Sequence, residues 1–348
     1  MVHLDAGPHR HVDKYDVLDY LSEFACGVQR WRALTGTSYD LIHSHYWLSG
    51  RLATLFAEHW GVPMVSMFHT LARLKNRVAE TAAEREQEVR FEIERRTMAG
   101  SDRVIAATET DRRQIIRHYR ELAPISVIPG GVDLEQFHPR PRLEARAELS
   151  MDPSDKVLLF VGRIQRLKGP EVLLRAFAHL GDLNARVVIV GGQPSGGHEA
   201  REINRLQQLS RRLGIAERVQ FGGAVPHERL PLYYAAADVT VMPSSYESFG
   251  LVAVESLACG TPVVATRVGG LASIVRDGET GLLVPWRDPA MFAERLRTVL
   301  TDDALHARLS GAARASVMRY GWDRIADEHL ALYEQVLNAR GSGLAEAR

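Results

Sequence analysis

The sequence contains only two cysteines, Cys26 and Cys259, and neither belongs to a CxxC pair. This scarcity argues against a disulfide framework or a cysteine zinc site and favours a reducing compartment. No apolar run approaches the ~20 residues that a membrane-spanning helix needs, and the amino terminus lacks a signal-peptide core. A surplus of either charge is also missing, because 43 Lys and Arg residues balance 43 Asp and Glu residues. These absences predict a cytoplasmic protein that neither binds nucleic acid nor inserts stably into a membrane.

Motifs that define several other protein classes are absent as well. The sequence has no HExxH, DxD, GxSxG or GxxxxGK[ST] element, and no GxGxxG follows a predicted strand. These absences disfavour several classes of protein: zinc proteases, serine hydrolases, P-loop proteins and dinucleotide dehydrogenases. They also disfavour a site in which a metal ion bridges to a nucleotide. Arginines are dense from Arg95 to Arg120, but their helical spacing favours a solvated helix face over a membrane or polyanion patch. We expect neither a metal ion nor a cofactor.

Predicted strands and helices alternate along the chain, which is typical of parallel, doubly wound sheets. In the first half we predict strands at 40–45, 63–69, 103–108 and 125–128, and helices at 47–60, 80–99 and 109–120. In the second half we predict strands at 157–161, 186–191, 219–221, 239–242 and 262–265, with helices at 170–180, 199–213 and 228–237 and a further helix around Glu255. Three helical segments follow, the last at 322–337. The segment 129–142 is rich in glycine and proline and is interpreted as the interdomain linker.

This alternation predicts an α/β fold with two facing Rossmann-like domains. The first domain spans residues 1–134 and the second spans 135–321, and a carboxy-terminal helix at 322–340 is expected to pack back on the first domain. Ligands of such sheets bind beyond the carboxyl ends of the strands, so we expect the functional site in the cleft between the domains.

The segment PSSYESFGLVAVESLACGTPVVAT, which begins at Pro243, is unusual because an apolar helix contains one carboxylate, Glu255. A buried carboxylate needs hydrogen-bond donors, and a sugar diol could supply them. The alternative is a salt bridge to an arginine. Gly250 lies at the predicted helix start, so the N–H groups of Gly250, Leu251 and Val252 could bind a phosphate.

A second polar loop, GRIQRLKG, runs from Gly162 to Gly169 between a predicted strand and a helix. Its cations Arg163 and Lys168 could neutralise the charge on a departing diphosphate. The alternative is that both are solvated loop residues.

Three histidines lie at predicted strand ends in the first domain. His43 and His45 alternate along one strand, and His69 ends the next. Hydrogen bonding to a substrate is favoured over metal binding, because no further ligand has the usual spacing.

Six segments spread over nearly the whole chain resemble the retaining family-4 glycosyltransferases of the GT-B fold. They are HSHYWLSG, FHTLARLKN, PGGVDLEQF, FVGRIQRLKGPEVLL, RVQFGG and the segment PSSYESFGLVAVESLACGTPVVAT. The E-x7-E element from Glu247 to Glu255 is specific to that family. The resemblance implies a metal-independent enzyme that transfers glucose or N-acetylglucosamine, with retention, from a UDP-linked donor to a small hydroxyl acceptor such as an inositol phosphate or a sugar phosphate.

The resemblance also implies a role for each site residue. Glu255 would hold the nucleotide ribose, Arg163 and Lys168 the diphosphate, and Glu247 with the backbone of Phe249, Gly250 and Leu251 the donor sugar. His69 would contact the sugar near the reacting centre, while Lys75 and Thr108 would face an acceptor phosphate. The catalytic set is therefore expected to be His69, Arg163, Lys168 and Glu247.

Two features depart from the family pattern. Family members begin with a strand and a GGxN loop that nothing here matches, so we expect the first domain to be truncated at its amino-terminal side. Pro124 stands where enzymes that act on inositol phosphate have an arginine, which weakens the assignment of a phosphorylated acceptor. The alternative function is a non-catalytic, nucleotide-sugar-binding remnant, and a nucleotide-sugar epimerase is disfavoured by the match at LARLKN. A homodimer is compatible with the sequence.

Overall fold

The structure is a computed structural model that describes residues 1–120, 122–192 and 197–346. Over these residues it contains two parallel sheets, one of four strands and one of six. The first sheet has the order β1-β2-β3-β4, and its strands are β1 (Ile42–His45), β2 (Met64–Met67), β3 (Arg103–Ala106) and β4 (Ile125–Val127). The second sheet has the order β10-β9-β8-β5-β6-β7. Its strands are β5 (Lys156–Val161), β6 (Ala185–Val190), β7 (Val219–Gly223), β8 (Val239–Met242), β9 (Val263–Thr266) and β10 (Gly281–Val284).

Helices connect the strands in both halves. Those of the first half are α1 (Leu21–Thr35), α2 (Tyr46–Trp60), α3 (Ala72–Val78), α4 (Glu88–Gly100) and α5 (Glu109–His118). Those of the second half are α6 (Arg142–Glu148), α7 (Pro170–Ala178), α8 (Gly197–Arg212), α9 (Leu230–Ala236), α10 (Leu251–Ala258), α11 (Leu271–Ile274), α12 (Pro289–Thr301), α13 (Asp303–Val317) and α14 (Trp322–Glu346). The predicted α/β class with two parallel sheets is confirmed.

Strand β5 shows why the second sheet forms where the sequence predicts it. Its four central residues, from Val157 to Phe160, are apolar and at most 2% exposed. A continuous apolar run suits a strand that is covered on both faces, as parallel strands are when helices connect them. Each such side chain contributes roughly 1.5–3 kcal/mol on burial. This strand lies inside the sheet, between β8 and β6.

The helix predicted at 80–99 is wrong at its amino-terminal end, because α4 begins only at Glu88. The preceding residues form a short 3-10 turn and then an extended segment. Glu86 accounts for this difference, since its N–H donates to Asn76 Oδ1 at 2.6 Å and its carbonyl accepts from Asn76 Nδ2 at 3.0 Å. Contacts with a residue on α3 therefore replace the helical hydrogen bonds that local propensity favours.

Five of the helices and strands in the described residues were not predicted. Helices α1, α3, α6 and α11 are short or only weakly amphipathic, and β10 is a four-residue strand between turn signals. Strand β10 is buried at the edge of the sheet, where it pairs in parallel with β9. Its partner and its burial are tertiary features that a short apolar run does not indicate.

The chain crosses between the two halves twice. The linker meets the carboxy-terminal segment where Val132 N donates to Tyr320 O at 2.8 Å and Trp322 N donates to Val132 O at 3.2 Å. Helix α14 then runs along the first sheet, with the Tyr333 hydroxyl 2.6 Å from His43 Nδ1 and Arg340 Nε 3.6 Å from Asp102 Oδ1. Within the described residues, no helix combines the length and the hydrophobicity needed to cross a bilayer.

Asp111, in the first turn of α5, is a buried carboxyl that predicts a pH-dependent stability. Burial raises its pKa to about 7, although the Ala107 N–H donates to it at 3.3 Å. Because the folded state keeps a proton that the unfolded chain loses near pH 4, stability should fall as the pH rises from about 4 through 7. At about 1.4 kcal/mol per pKa unit, the loss is on the order of a few kcal/mol.

The Asp111→Asn variant should lose most of this dependence, because an amide has no proton to release in that range. Urea unfolding of both proteins at pH 5 and pH 8 measures the effect. The exposed Asp323→Asn serves as the matched control and should behave as the wild type. An equal decrease in Asp111→Asn and wild-type stability between the two pH values would contradict the assignment.

Candidate active site

The β8–α10 loop, residues 243–250, is held by hydrogen bonds at the carboxyl end of the second sheet. The carbonyl of Glu247 accepts from Gly270 N at 2.9 Å, and the carbonyl of Pro243 accepts from Arg287 Nε at 3.0 Å. A Cβ on Gly270 would lie 2.1 Å from the Phe249 carbonyl oxygen, so only glycine allows the two chain segments to approach this closely. The loop therefore presents its side chains from a fixed backbone.

Lys168 and Glu247 come together at the point where the strand order of the second sheet reverses. Lys168 lies on the loop after β5 and Glu247 on the loop after β8, and these two strands are neighbours in the sheet. The Nζ of Lys168 lies 2.6 Å from Glu247 Oε2, with both side chains partly buried. Ser245 N also donates to Leu167 O at 2.9 Å, which joins the two loops. Doubly wound sheets bind ligands in the crevice at this position.

Arg163 lies on the same loop after β5 and its side chain is exposed. Both cations that the sequence indicated thus project from one strand-to-helix connection. The structure gives Lys168 a carboxylate partner, so for Lys168 the alternative of a merely solvated residue is wrong.

Helix α10 begins at Leu251, one residue later than predicted, and Gly250 is its N-cap. The φ angle of Gly250 is +109°, which glycine adopts without the strain that a side chain would cause. The first N–H groups of α10 have no partner within the helix, so this end can accept an anion. The Cγ of Glu247 lies only 3.7 Å from the position that a Cβ on Gly250 would occupy. The helix end, Glu247 and Lys168 therefore form one site.

Phe249 contributes differently from its neighbours in the loop. Its side chain is buried and meets the Tyr320 ring edge-on, with centroids 5.4 Å apart. Only the backbone of Phe249 can therefore face a ligand.

Glu255, the carboxylate within α10, is 8% exposed and has donors on both oxygens. The Tyr234 hydroxyl donates to Oε2 at 2.7 Å, and His227 Nε2 lies 3.0 Å from Oε1. Burial and the charge of Glu255 raise the pKa of Tyr234 well above its usual range, so Tyr234 remains a donor at neutral pH. The structure thus pairs Glu255 with a tyrosine and a histidine rather than with the arginine that the sequence left open.

The first domain meets the β8–α10 loop at the carboxyl end of β2. Ser248 Oγ donates to the carbonyl of His69 at 2.6 Å, and Tyr246 packs against the core cluster that contains Phe68 and Leu71. A residue of the expected acceptor side is therefore in direct contact with the loop that carries Glu247.

The histidines of the first domain form a neutral row beside this contact. His45 Nδ1 lies 3.2 Å from His69 Nε2, and the rings of His43 and His45 are 4.2 Å apart between centroids. Burial lowers the pKa of His45 and of His69, and burial together with the neighbouring histidines lowers that of His43 to about 3. Among the described residues, no group of three or more His, Cys, Asp or Glu side chains has an arrangement that could hold a metal ion.

Lys75 belongs to a cluster that the sequence did not reveal. Glu86 lies at its centre and pairs with Lys75, with Lys14 at 2.6 Å and with Arg90 at 3.2 Å. Burial alone would raise the pKa of Glu86, but hydrogen bonds from Lys14, Lys75 and Tyr15 lower it to about 2. We call Lys14, Lys75 and Arg90 the cationic cluster.

Arg90 connects the cationic cluster to the strand ends. Its guanidinium donates to the Thr70 carbonyl at 2.7 Å and Thr70 Oγ1 at 3.0 Å, beside His69, and to Glu94 at 2.7 Å. Three cations thus share two carboxylates, Glu86 and Glu94, which leaves an excess of positive charge next to the histidine row. No sequence signal indicated this excess, because Lys14 and Arg90 are far apart in the chain.

Thr108 has a structural role in α5. The residue is 7% exposed, and its Oγ1 accepts from Asp111 N at 3.0 Å as the N-cap. Capping of this kind stabilises a helix by about 1 kcal/mol.

The two sheets and the site at their facing edges have the architecture of a GT-B glycosyltransferase, and comparisons with known proteins agree. A family model described as "Glycosyl transferases group 1" matches residues 141–316, and one described as "Glycosyltransferase Family 4" matches residues 9–136. Among solved structures, the sucrose-phosphate synthase from Thermosynechococcus elongatus has a TM-score of 0.90 at 34% identity, over 97% of this chain and 83% of that chain. The Anabaena HepE protein in complex with UDP and glucose has a TM-score of 0.78 at 22% identity, over 94% and 84%, which shows a shared fold.

Curated relatives narrow the class further. The D-inositol 3-phosphate glycosyltransferase of Nocardiopsis dassonvillei is 44% identical over 354 residues, which cover 99% of this chain and 82% of the relative. The protein of the same name from Thermobifida fusca is 43% identical over 341 residues, covering 96% and 78%. The chain belongs to the family-4 glycosyltransferases of the GT-B fold, as its motifs predicted.

Proposed function

We propose that the protein transfers glucose or N-acetylglucosamine from a UDP-linked donor to a small phosphorylated hydroxyl acceptor, with retention at the anomeric carbon. The observation that carries the proposal is the contact of Ser248 with His69 at 2.6 Å, beside the Lys168–Glu247 pair at 2.6 Å. It brings the loop expected to hold the donor sugar against the strand end expected to receive the acceptor. We place this reaction in the cytoplasm, in keeping with two isolated cysteines.

The donor would lie along α10 and the two loops before it. Glu255 would accept hydrogen bonds from the ribose hydroxyls, and Glu247 with the backbone of 249–251 would hold the sugar. Arg163 and Lys168 would bind the diphosphate, together with the N–H groups at the start of α10 that have no partner within the helix. The hydrogen bonds that hold the loop backbone support these roles, because they reduce the reorganisation that donor binding requires.

The chemical step breaks the bond between the anomeric carbon and the diphosphate oxygen, and the acceptor oxygen forms the new bond on the same face of the sugar. The acceptor hydroxyl proton passes to the leaving diphosphate. Arg163, Lys168 and the start of α10 stabilise the negative charge that develops on that leaving group. His69, a neutral imidazole, would hydrogen-bond the sugar near the reacting centre.

The acceptor phosphate would bind at the cationic cluster. Its excess positive charge next to His69 favours an anionic acceptor, and the name of the 40–44% identical relatives, D-inositol 3-phosphate glycosyltransferase, agrees with this. Lys75 keeps its expected role, with Lys14 and Arg90 as partners. Thr108, which caps α5, is not part of this proposal.

Turnover assays test the proposal. The purified chain is incubated with UDP-glucose or UDP-N-acetylglucosamine, and with inositol 3-phosphate, fructose 6-phosphate or unphosphorylated inositol. We expect a glycosylated phosphate acceptor and one UDP per transfer. Binding of UDP without transfer to any acceptor would instead indicate the non-catalytic remnant, and formation of an epimeric sugar nucleotide would indicate an epimerase.

The Lys75→Met variant tests the acceptor site. With the ammonium removed, we expect KM for the phosphorylated acceptor to rise about tenfold or more. This is the weakening expected from the loss of one charge-assisted hydrogen bond, which is worth about 1.5–3 kcal/mol. KM for the UDP-sugar should stay the same. The exposed Arg77→Met, on the same helix, is the matched control. An unchanged acceptor KM in Lys75→Met would place the acceptor phosphate elsewhere.

A further inference from the structure

His227 is the exposed partner of the carboxylate on Glu255. It lies in a short 3-10 turn, His227–Arg229, after β7, and its side chain is 57% exposed whereas that of Glu255 is 10% exposed. Tyr234, the other partner, is fully buried. The carboxylate therefore lies between a buried donor on Oε2 and a histidine at the solvent side on Oε1.

The contacts around the imidazole favour one tautomer. Gln136 Nε2 donates to the His227 carbonyl at 3.1 Å, which sets the orientation of that amide. The same Nε2 lies 3.4 Å from His227 Nδ1, within reach of its second amide hydrogen. With Nδ1 accepting, the imidazole carries a hydrogen on Nε2 and donates it to Glu255. The Phe137 ring, 5.1 Å away between centroids, packs against the imidazole and limits its rotation.

Two donors on opposite oxygens fix the plane of the Glu255 carboxylate. A carboxylate has about four acceptor positions, two on each oxygen. Tyr234 and His227 occupy one position on each, so each oxygen retains one for another donor. This is the arrangement that a vicinal diol needs, because its two hydroxyl groups can each donate to a different oxygen.

We propose that His227 is a positioning residue that, together with Tyr234, orients Glu255 for the two ribose hydroxyls and so sets the preference for ribonucleotides over 2′-deoxyribonucleotides. This inference rests on the proposed role of Glu255 in donor binding. His227 acts through Glu255, because its Nε2 hydrogen already belongs to the carboxylate. Loss of the imidazole should leave Glu255 free to turn about its side-chain bonds, so that one ribose hydroxyl loses its partner.

Calorimetric titration with UDP and with 2′-deoxy-UDP tests the inference. We expect the wild type to bind UDP about tenfold or more tightly than 2′-deoxy-UDP. In the His227→Ala variant this preference should be no more than about threefold, while the affinity for 2′-deoxy-UDP should change little. His227→Gln should recover part of the preference, because its amide can donate to Glu255. Arg229→Ala, an exposed change in the same turn, should match the wild type.

The ratio of the two affinities separates positioning from a general structural role. If His227→Ala weakens UDP and 2′-deoxy-UDP equally, the inference is overturned, because a displaced turn would affect both ligands alike. The Glu255→Gln variant separates this failure from that of the proposed function. If Glu255→Gln leaves the wild-type preference intact, the ribose role of Glu255 itself is wrong. If His227→Ala keeps the wild-type preference for UDP and Glu255→Gln loses it, Glu255 binds the ribose without help from His227.

Discussion

Replacing Lys168 by methionine should lower kcat for sugar transfer by about 10²–10³-fold, the usual effect of removing one donor that stabilises developing charge. Methionine retains most of the length of the lysine side chain and removes only the ammonium. That ammonium lies 2.6 Å from Glu247 at the switch point between β5 and β8, where the proposal places the leaving diphosphate. The loss should therefore appear mainly in kcat, since charge on the leaving group grows as the bond breaks.

Ligands that differ in charge locate the effect of Lys168. UDP should inhibit the Lys168→Met variant less well than the wild type, whereas uridine, which has no phosphate, should inhibit both equally. Lys156→Met is the matched control, because Lys156 lies at the opposite, amino-terminal end of β5 and its side chain is 40% exposed. Equal losses for UDP and uridine would mean that the unpaired Glu247 has disturbed the loop, and would refute a direct role for the ammonium.

The sequence predicted those parts of the fold that short-range patterns determine. Strand β5 was predicted within one residue of its observed start because its apolar run is continuous, and α10 was predicted because its residues favour a buried helix. Helix α4 shows the limit. Its first turn depends on hydrogen bonds between Glu86 and Asn76 on α3, and no local pattern contains that partner.

The same limit applies to the candidate site. The E-x7-E motif and the loop after β5 indicated Glu247 and Lys168, and the adjacency of β5 and β8 in the sheet brings them together. For Glu255 the sequence required hydrogen-bond donors but did not identify them. Tyr234 and His227 come from separate segments. Only the packing of the β7–α9 region against α10 shows that these two residues are the hydrogen-bond donors to Glu255.

The cationic cluster is the part of the site that the sequence indicated least. Lys14 and Arg90 are unremarkable in a chain with 43 basic residues, and Glu86 lies in a segment predicted as a charged helix. These residues matter because of burial. Glu86 and Arg90 have no exposed side-chain area, so the charge on each must be balanced by a neighbouring charge of opposite sign. Lys14 and Lys75 supply more positive charge than one carboxylate needs, and this surplus is the feature that a phosphorylated acceptor could use.

The Glu255→Gln variant should bind UDP about 10–150-fold more weakly, because a charged hydrogen bond is worth about 1.5–3 kcal/mol. Glutamine has the same shape and keeps one oxygen, but its amide nitrogen cannot accept from a ribose hydroxyl. Calorimetry with UDP measures the change, and a thermal unfolding midpoint near that of the wild type would show that Tyr234 is still accommodated.

Two further measurements identify what Glu255 recognises. The affinity for free diphosphate should be the same in Glu255→Gln and wild type, because the proposed partner of the carboxylate is the ribose and not the phosphates. Glu294→Gln, an exposed carboxylate on α12, is the matched control and should bind UDP normally. Unchanged UDP affinity in Glu255→Gln would refute the ribose role, and the buried carboxylate would then serve only to join α10 to Tyr234 and His227.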